Sequence, residues 1–471
     1  MSSSTTIQPP TLAGAAPLLP SRGQANYALG VLLLAYVFSI MDRQILTLLV
    51  GPIQQSLHVN DAWMGMLHGF TFAAFYSVVG LPIARLIDRG NRRLIITTGI
   101  ALWCLATAAG GLATDFWHLL VARIGVAVGE AVLLPGAVSL ISDLFVPEKR
   151  GRALGVFGAA GPVGAGIGLL ATGLVLGYFS AHPLTLPYLG TLEPWQTTLM
   201  SIGLPGLVVL LLMIGVPEPR LNRAGRIAPT SAPLSVPLAE VLAFLRGNRR
   251  TFVSIVIGAG FYYAAVYGSS AWVPSYFVRH FGWTYAQVGL AMGLTMCICA
   301  PLGVLAASWL GEYWRRRGVA GGNLRVAIIA SVALPLCATP LLLAPSAELA
   351  LPFLALTAFV WTCLFGVGAA LVVEIAPTPM RGQFIALYTG VITLLGAGIG
   401  PVAVGVITDY LLVDPSAIRY SILIVVLVAC TLAGTLLLGA RHSFRNTARQ
   451  ARQWQPATAV TTATSTPREH S

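Results

Sequence analysis

Charge is what this sequence has least of. Only 9% of its 471 residues are charged, whereas a soluble domain carries about 25%. So few charges could not cover the water-facing surface of a chain this long. That excludes a soluble enzyme, a disordered protein and a nucleic-acid-binding module. A cysteine framework is lacking too. Cys104, Cys297, Cys299, Cys337, Cys363 and Cys430 all lie inside apolar runs. The single residue between Cys297 and Cys299 suits neither a zinc site nor a Cys-x-x-Cys redox pair, so all six are expected to be small packing residues. No basic stretch followed by an apolar core opens the chain, which argues against a signal peptide. No Asp-Asp-x-x-Asp or His-x-x-x-x-Asp motif is present, which argues against a membrane-embedded transferase. No cofactor and no metal are expected.

Apolar residues are abundant, at 56% with a mean hydropathy of +0.79. Runs of about 20 apolar residues recur, the length that crosses a bilayer. Twelve spans are expected, at roughly 27–50, 63–86, 94–113, 117–142, 153–179, 196–216, 251–278, 285–310, 325–344, 350–374, 384–410 and 419–440. They predict an all-α membrane protein. Its expected parts are a disordered tail at 1–26, a six-helix bundle at 27–216, a polar loop at 217–250, a second bundle at 251–440 and a tail at 441–471.

The net charge of +12 would suit nucleic acid, but its distribution says otherwise. Of the 28 basic residues, 24 fall in the tails and the even-to-odd loops. Only Arg279 and Arg419 lie in the opposite loops, and Arg43 and Arg123 lie within spans. The positive-inside rule then predicts both termini and the central loop in the cytoplasm, in a multi-pass inner-membrane protein. The basic excess reports topology, with the bilayer as partner and no nucleic acid.

The chain also repeats. Arg150-Gly151 follows the fourth span and Arg381-Gly382 follows the tenth, an offset close to half the chain. Gly161-Pro162 in the fifth span matches Gly400-Pro401 in the eleventh. These glycine–proline pairs are expected to allow close helix packing and a bend. The arrangement resembles the parallel repeat of the major facilitator architecture, which implies a substrate site at midplane between two bundles.

Charge inside the apolar spans is the strongest functional signal. Asp42 and Arg43 lie in the first span, Arg123 and Glu130 in the fourth. Each costs about 2.5–3.5 kcal/mol at the bilayer centre on insertion scales, so four together call for a function. Arg123 and Glu130 are two turns apart on one face, roughly 10 Å along the axis. That is too far for a direct pair, so each has room for a partner from another helix or from cargo. Asp42 and Arg43 diverge by about 100° and should face different neighbours. Asp42 and Glu130 are the candidate proton carriers, with Arg43 and Arg123 tuning them or holding an anionic group. Tyr263 and Tyr267, one turn apart in the seventh span, are candidate cavity residues, with Trp361 and Tyr388 weaker ones. Trp272 and Tyr276 read as an interfacial belt. His68 reads as a hydrogen-bonded structural histidine, and Glu374 as a helix-end or gate residue.

The second span ends Ala84-Arg85-Leu86-Ile87-Asp88-Arg89-Gly90-Asn91-Arg92-Arg93. This resembles the loop 2–3 signature of major facilitator transporters, with Ala84 in place of the first glycine and Gly90 one place early. The resemblance implies a cytoplasmic gate that latches the two halves, formed by Asp88, Arg89, Arg92 and Arg93 with Asp143 and Arg150. The matching loop 8–9 has Glu312 and Arg315-Arg316-Arg317 but no Asp-Arg-x-Gly.

Met41-Asp42-Arg43-Gln44-Ile45-Leu46 and Ala122-Arg123-Ile124-Gly125-Val126-Ala127-Val128-Gly129-Glu130-Ala131, with the loop above, resemble the Spinster branch of that superfamily, most strongly over 27–175. The resemblance implies proton-linked transport, with Asp42, Arg43, Arg123 and Glu130 in the corresponding positions. The expected function is proton-coupled export of a small amphipathic or anionic molecule, lysolipid-like or drug-like, by a monomer using alternating access. The alternatives are a proton-independent facilitator or an organic-anion symporter and, remotely, a transferase.

Overall fold

A computed structural model of the chain describes residues 21–187, 190–220, 236–319 and 321–454. Among these residues, twelve helices are long and apolar enough to cross a membrane. In chain order they are α1 (Arg22–Leu57), α2 (Asp61–Gly80, helical onward to Arg89), α3 (Arg92–Gly110), α4 (Phe116–Leu144), α5 (Pro147–Ala181) and α6 (Pro194–Met213). The second six are α7 (Arg249–Phe281), α8 (Tyr285–Arg316), α9 (Gly322–Leu342), α10 (Ala347–Ile375), α11 (Thr378–Leu412) and α12 (Pro415–Gln453). The expected tails fall largely outside the described residues, as does much of the central loop, including Arg223 and Arg226. Where they are described they are helical: α1 starts at Arg22, α12 runs on to Gln453, and a short helix, Leu238–Gly247, precedes α7.

Local chemistry sets the ends and breaks. The side chains of Asp115 and Ser346 cap α4 and α10, accepting from backbone N–H groups that no earlier turn can satisfy. The offset between the two caps equals that between the two Arg-Gly pairs. Both helices are interrupted. The regular turns of α4 stop at Glu130 and resume at Leu133; those of α10 stop at Trp361 and resume at Cys363. Glu130 and Trp361 are separated by the same offset again. The repeat is therefore structural as well as sequential.

Bulged π turns mark α2 at Met66–Phe70 and α11 at Ile392–Ile399, and these two segments pack against each other. Across this seam a Cβ on Gly65 would sit 2.6 Å from the Pro401 carbonyl oxygen. The other seam is α5 on α8, where a Cβ on Gly173 would stand 2.9 Å from the Gly289 Cα. Only residues without side chains allow such backbone approach. Both seams lie toward the end of the bundle away from the termini. Toward the terminal end the halves part: Gly155 and Gly158 on α5, and Gly382 and Gly390 on α11, have nothing within 4 Å of an added Cβ.

A Cβ on Gly161 would meet only the Tyr36 hydroxyl, at an ordinary 3.6 Å. The close approach expected at Gly161-Pro162 is therefore made further along the helix, by Gly164 and Gly168 against α1 and by Gly173 against α8. Pro162 lies within the unbroken helix of α5. Gly400 packs against the α7 backbone at Ala264 and Gly268.

Candidate functional site

The four charges within the spans meet as two crossed pairs between α1 and α4. Glu130 Oε2 accepts from Arg43 Nε at 2.5 Å and from Ser39 Oγ at 3.0 Å. Asp42 Oδ1 accepts from Thr107 Oγ1 at 2.7 Å, and Asp42 Oδ2 stands 3.8 Å from Arg123 Nη1. Successive residues on α1 thus reach residues two turns apart on α4. The 100° divergence of Asp42 and Arg43 is what permits both pairs.

The two pairs differ in kind. The Glu130 side chain is fully buried, yet its Arg43 partner is 32% exposed. The Arg43 guanidinium lies 4.8 Å over the Phe72 ring and 5.1 Å from that of Tyr76, stacking that a lysine would reproduce poorly. Asp42 and Arg123 are both buried and separated by more than a hydrogen bond. Among the described residues, Glu130 Oε1, Asp42 Oδ2, Arg123 Nε, Arg123 Nη1 and His68 Nδ1 are buried without a hydrogen-bond partner. Buried polar groups without protein partners are costly for a fold, which singles this cluster out as the candidate site. His68, expected to be hydrogen-bonded, carries one of these unmet atoms within the α2 bulge.

The second half makes the same contact without charge. At the α10 break, Trp361 Nε1 donates to Ser269 Oγ on α7 at 3.0 Å, as Ser39 on α1 serves Glu130 in the first half. The buried ionisable cluster therefore belongs to one half only.

The tyrosines divide. Tyr263 is 2% exposed, packed on Tyr267 and edge-on to Phe365. Tyr267 is half-buried, and Tyr388 is buried with an unpartnered hydroxyl. The belt expected of Trp272 and Tyr276 is corrected by their burial. Trp272 Nε1 donates to the Pro401 carbonyl at 2.9 Å and Tyr276 Oη to that of Leu341 at 3.2 Å. Their polar tips find partners in neighbouring helices, so neither needs the membrane surface.

The loop 2–3 cluster has a buried part and an exposed part. Arg92 is 0% exposed. It donates to Asp143 Oδ2 at 2.6 Å, to the Ser139 carbonyl at 3.1 Å and to Glu218 Oε1 at 2.5 Å. Arg93 binds the carbonyls ending α6. Arg220 ties the Asp88 carbonyl at 3.1 Å and Asp143 at 3.5 Å. The Asp88 and Arg89 side chains are exposed, and Arg150 keeps a buried, unpartnered Nε. Among the described residues, every partner named lies in the first bundle or in the short segment that follows α6. In this state the cluster braces one bundle and does not latch two. Glu218 was missed; its signal was a lone carboxylate between Pro217 and Pro219, directly after the sixth span.

The bond between halves lies at the opposite end. Arg279 on α7 grips Asp61 on α2 through both carboxylate oxygens, at 2.7 and 2.6 Å, and donates to Gln54 Oε1 on α1 at 2.9 Å. Gln54 Nε2 donates to the same Asp61 oxygen at 2.7 Å. Asp409 on α11 accepts from the Ala62 N–H at 2.6 Å. Beside this clasp is a cavity of about 340 Å³. Its one signal in the sequence was Arg279, one of two arginines on the side the positive-inside rule leaves bare.

The model of the Major Facilitator Superfamily matches residues 32–401. An efflux pump of that type from Mycolicibacterium smegmatis is 27% identical over 393 residues, 83% of this chain and 86% of the pump. Protein spinster homolog 1 of Mus musculus is 31% identical over 301 residues, 60% of this chain, and the match spans 54% of that protein's own length. Among solved structures, a bacterial homolog of the human lysosomal transporter Spinster, inward-facing and unoccupied, aligns with a TM-score of 0.73 at 24% identity, covering 93% of this chain and all of that one.

Proposed function

The chain belongs to the Major Facilitator Superfamily, and on that premise we propose that it is a proton-coupled exporter of the cytoplasmic membrane with both termini inside the cell. It is a multi-pass transporter that resembles Spinster proteins, not an enzyme. The observation that carries the proposal is the crossed pairing of Asp42, Arg43, Arg123 and Glu130, with its unmet polar atoms, in one half. Nothing about packing requires ionisable groups there, since the second half closes the same α7–α10 contact with Ser269 and Trp361.

The working cycle follows from the pairs. With Glu130 ionised, Arg43 is held, and the unmet oxygens of Glu130 and Asp42 accept hydrogen bonds from a polar group of the cargo taken up from the cytoplasm. A proton arriving from outside on Glu130 cancels that acceptor and frees Arg43, so proton and cargo occupy the site in turn and the cargo leaves outward. An anionic cargo held by Arg43 while Glu130 is protonated would travel with the proton instead, which is the organic-anion symport alternative. With the far end clasped and the terminal end parted, the state described is open to the cytoplasm on this topology. Each charge crossing 100 mV supplies about 2.3 kcal/mol, enough for roughly a fiftyfold gradient. Efflux activity in the mycobacterial relative and the amphipathic setting of Tyr267 beside Arg43 favour an amphipathic or anionic cargo.

The test uses purified protein in liposomes holding a pH-sensitive dye. Lysophospholipids, sphingoid bases, organic anions and cationic drugs are screened for cargo-dependent proton movement. The expected result is a responding class whose proton movement is abolished by Glu130→Gln. Cargo flux with unchanged pH dependence in both Asp42→Asn and Glu130→Gln would instead identify a proton-independent facilitator.

A further inference from the structure

The terminal face of the second half carries a cavity of about 840 Å³ between the ends of α8, α9, α10 and α12. It lies within one bundle, away from the cleft between halves. Arg315, Arg445, Arg449 and Arg452 line it, against the carboxylates of Glu312 and Glu374. Arg445, Arg449 and Arg452 fall at i, i+4 and i+7, so one face of α12 presents all three. Glu312 is engaged by Arg315 and Arg316. No carboxylate among the described residues pairs with the three α12 arginines.

The repeat explains why this space is open. Asn323 and Glu374 follow Arg92 and Asp143 by the same offset that separates the Arg-Gly pairs. In the first half, the Arg92 guanidinium fills the corresponding space and is closed over by Glu218. In the second half, the Asn323 amide makes the equivalent bond, donating to Glu374 Oε1 at 2.5 Å. The shorter amide leaves the guanidinium's volume empty. Where α6 ends on the anion Glu218, α12 continues and brings cations. One half supplies its own anion; among the described residues the other supplies none, and its three α12 arginines have no ion-pair partner there.

From this we infer that the second-half cavity binds the phosphate headgroup of an anionic phospholipid. Depth in the membrane selects a lipid over a soluble phosphate. Trp309 on α8, 66% exposed, stacks on Tyr313, and Arg317 lies 4.4 Å over the Tyr313 ring. An exposed Trp and a half-buried Tyr beside arginine mark headgroup level, and basic pockets between membrane helices suit anionic headgroups. The leaflet is the cytoplasmic one on the topology proposed above. The site itself does not depend on proton coupling, so it stands or falls separately from the cargo assay.

The experiment measures thermal stabilisation and native mass spectra of the full-length protein in detergent, titrated with phosphatidylglycerol, phosphatidylcholine or inorganic phosphate. Phosphatidylglycerol is expected to bind saturably and to raise the melting temperature, while the other two do not. The double variant Arg445→Gln, Arg449→Gln is expected to weaken that binding about 30-fold, the worth of two arginines near an anionic lipid. Arg445→Lys, Arg449→Lys keeps the charge and should retain binding within about 3-fold, which separates lost charge from lost fold. Arg246→Gln, exposed elsewhere on the same side, should change nothing. Equal binding of phosphatidylcholine, or unchanged affinity in the glutamine variant, overturns the site. Full competition by inorganic phosphate overturns the lipid and makes the ligand a soluble anion.

Discussion

The clasp at the far end offers the sharpest test of how the halves move. Arg279→Gln removes both bonds to Asp61 while leaving Gln54 in place. Each hydrogen bond to a charged group is worth about 1.5–3 kcal/mol. The Arg279 side chain is 20% exposed and that of Asp61 3%, so solvent competes on one side and the lower end of the range applies. A pair worth about 2 kcal/mol is the working figure. Asp61 and Arg279 sit on different halves, so the bond exists only while the far end is closed. An interaction present in one state alone shifts the equilibrium by its whole worth, here about 30-fold. Spin labels at Leu112 and Leu343, exposed at the far ends of α3 and α9, report the opening by double electron–electron resonance. The wild type should give one short distance. Arg279→Gln and Asp61→Asn should each add a longer population, and the double variant should add little more than either alone. Identical distance distributions in all four proteins would refute the assignment of this bond as the far-end closure. Additive shifts would mean the two residues act through separate partners.

Two further outcomes follow from the packing. Glu218→Gln leaves Arg92 buried with half its charge compensation gone, and breaking a buried pair costs about 3–5 kcal/mol. Its melting temperature should fall well below that of Asp88→Asn, whose side chain is exposed and makes no hydrogen bond among the described residues. Gly173→Val puts a branched side chain where a Cβ alone would stand 2.9 Å from the Gly289 Cα. It should force the α5–α8 seam apart, lengthening the far-end spin-label distance while leaving the protein's elution on size-exclusion chromatography unchanged.

Much of this architecture was legible because the bilayer is a simple solvent. Apolar runs gave the spans, and the arginine count separated the two ends. What the sequence could not show was pairing across helices. Asp42 and Arg43 stood out as costly, but only the fold shows that they cross to partners two turns apart on α4. Trp272 and Tyr276 misled because position along a span fixes depth and not the side that faces lipid. The carbonyls of Pro401 and Leu341 that receive them lie far away in sequence. The loop signature named Arg92 and Asp143 together with Asp88, Arg89, Arg93 and Arg150, but not which of them is buried, nor that the carboxylate completing the Arg92 contacts follows α6. Signatures record which residues recur; burial decides which of them hold the bundle together.

The repeat carries the argument furthest, because it makes each half a control for the other. At the break in the fourth helix of each half stands Glu130 or Trp361. At the start of the third stands Arg92 or Asn323. In both places the fold needs a hydrogen bond to a neighbouring helix, and in both the second half makes it with a neutral group. Charge at the first-half positions is therefore surplus to what the backbone requires. A buried carboxylate that packing does not need is expensive in hydrocarbon, and its cost is offset only if its charge does something. On this reasoning, replacing Glu130 should cost transport far more than stability. The same comparison turned around yields the lipid site: where the second half loses its internal cation, its neighbouring helix gains three without ion-pair partners among the described residues.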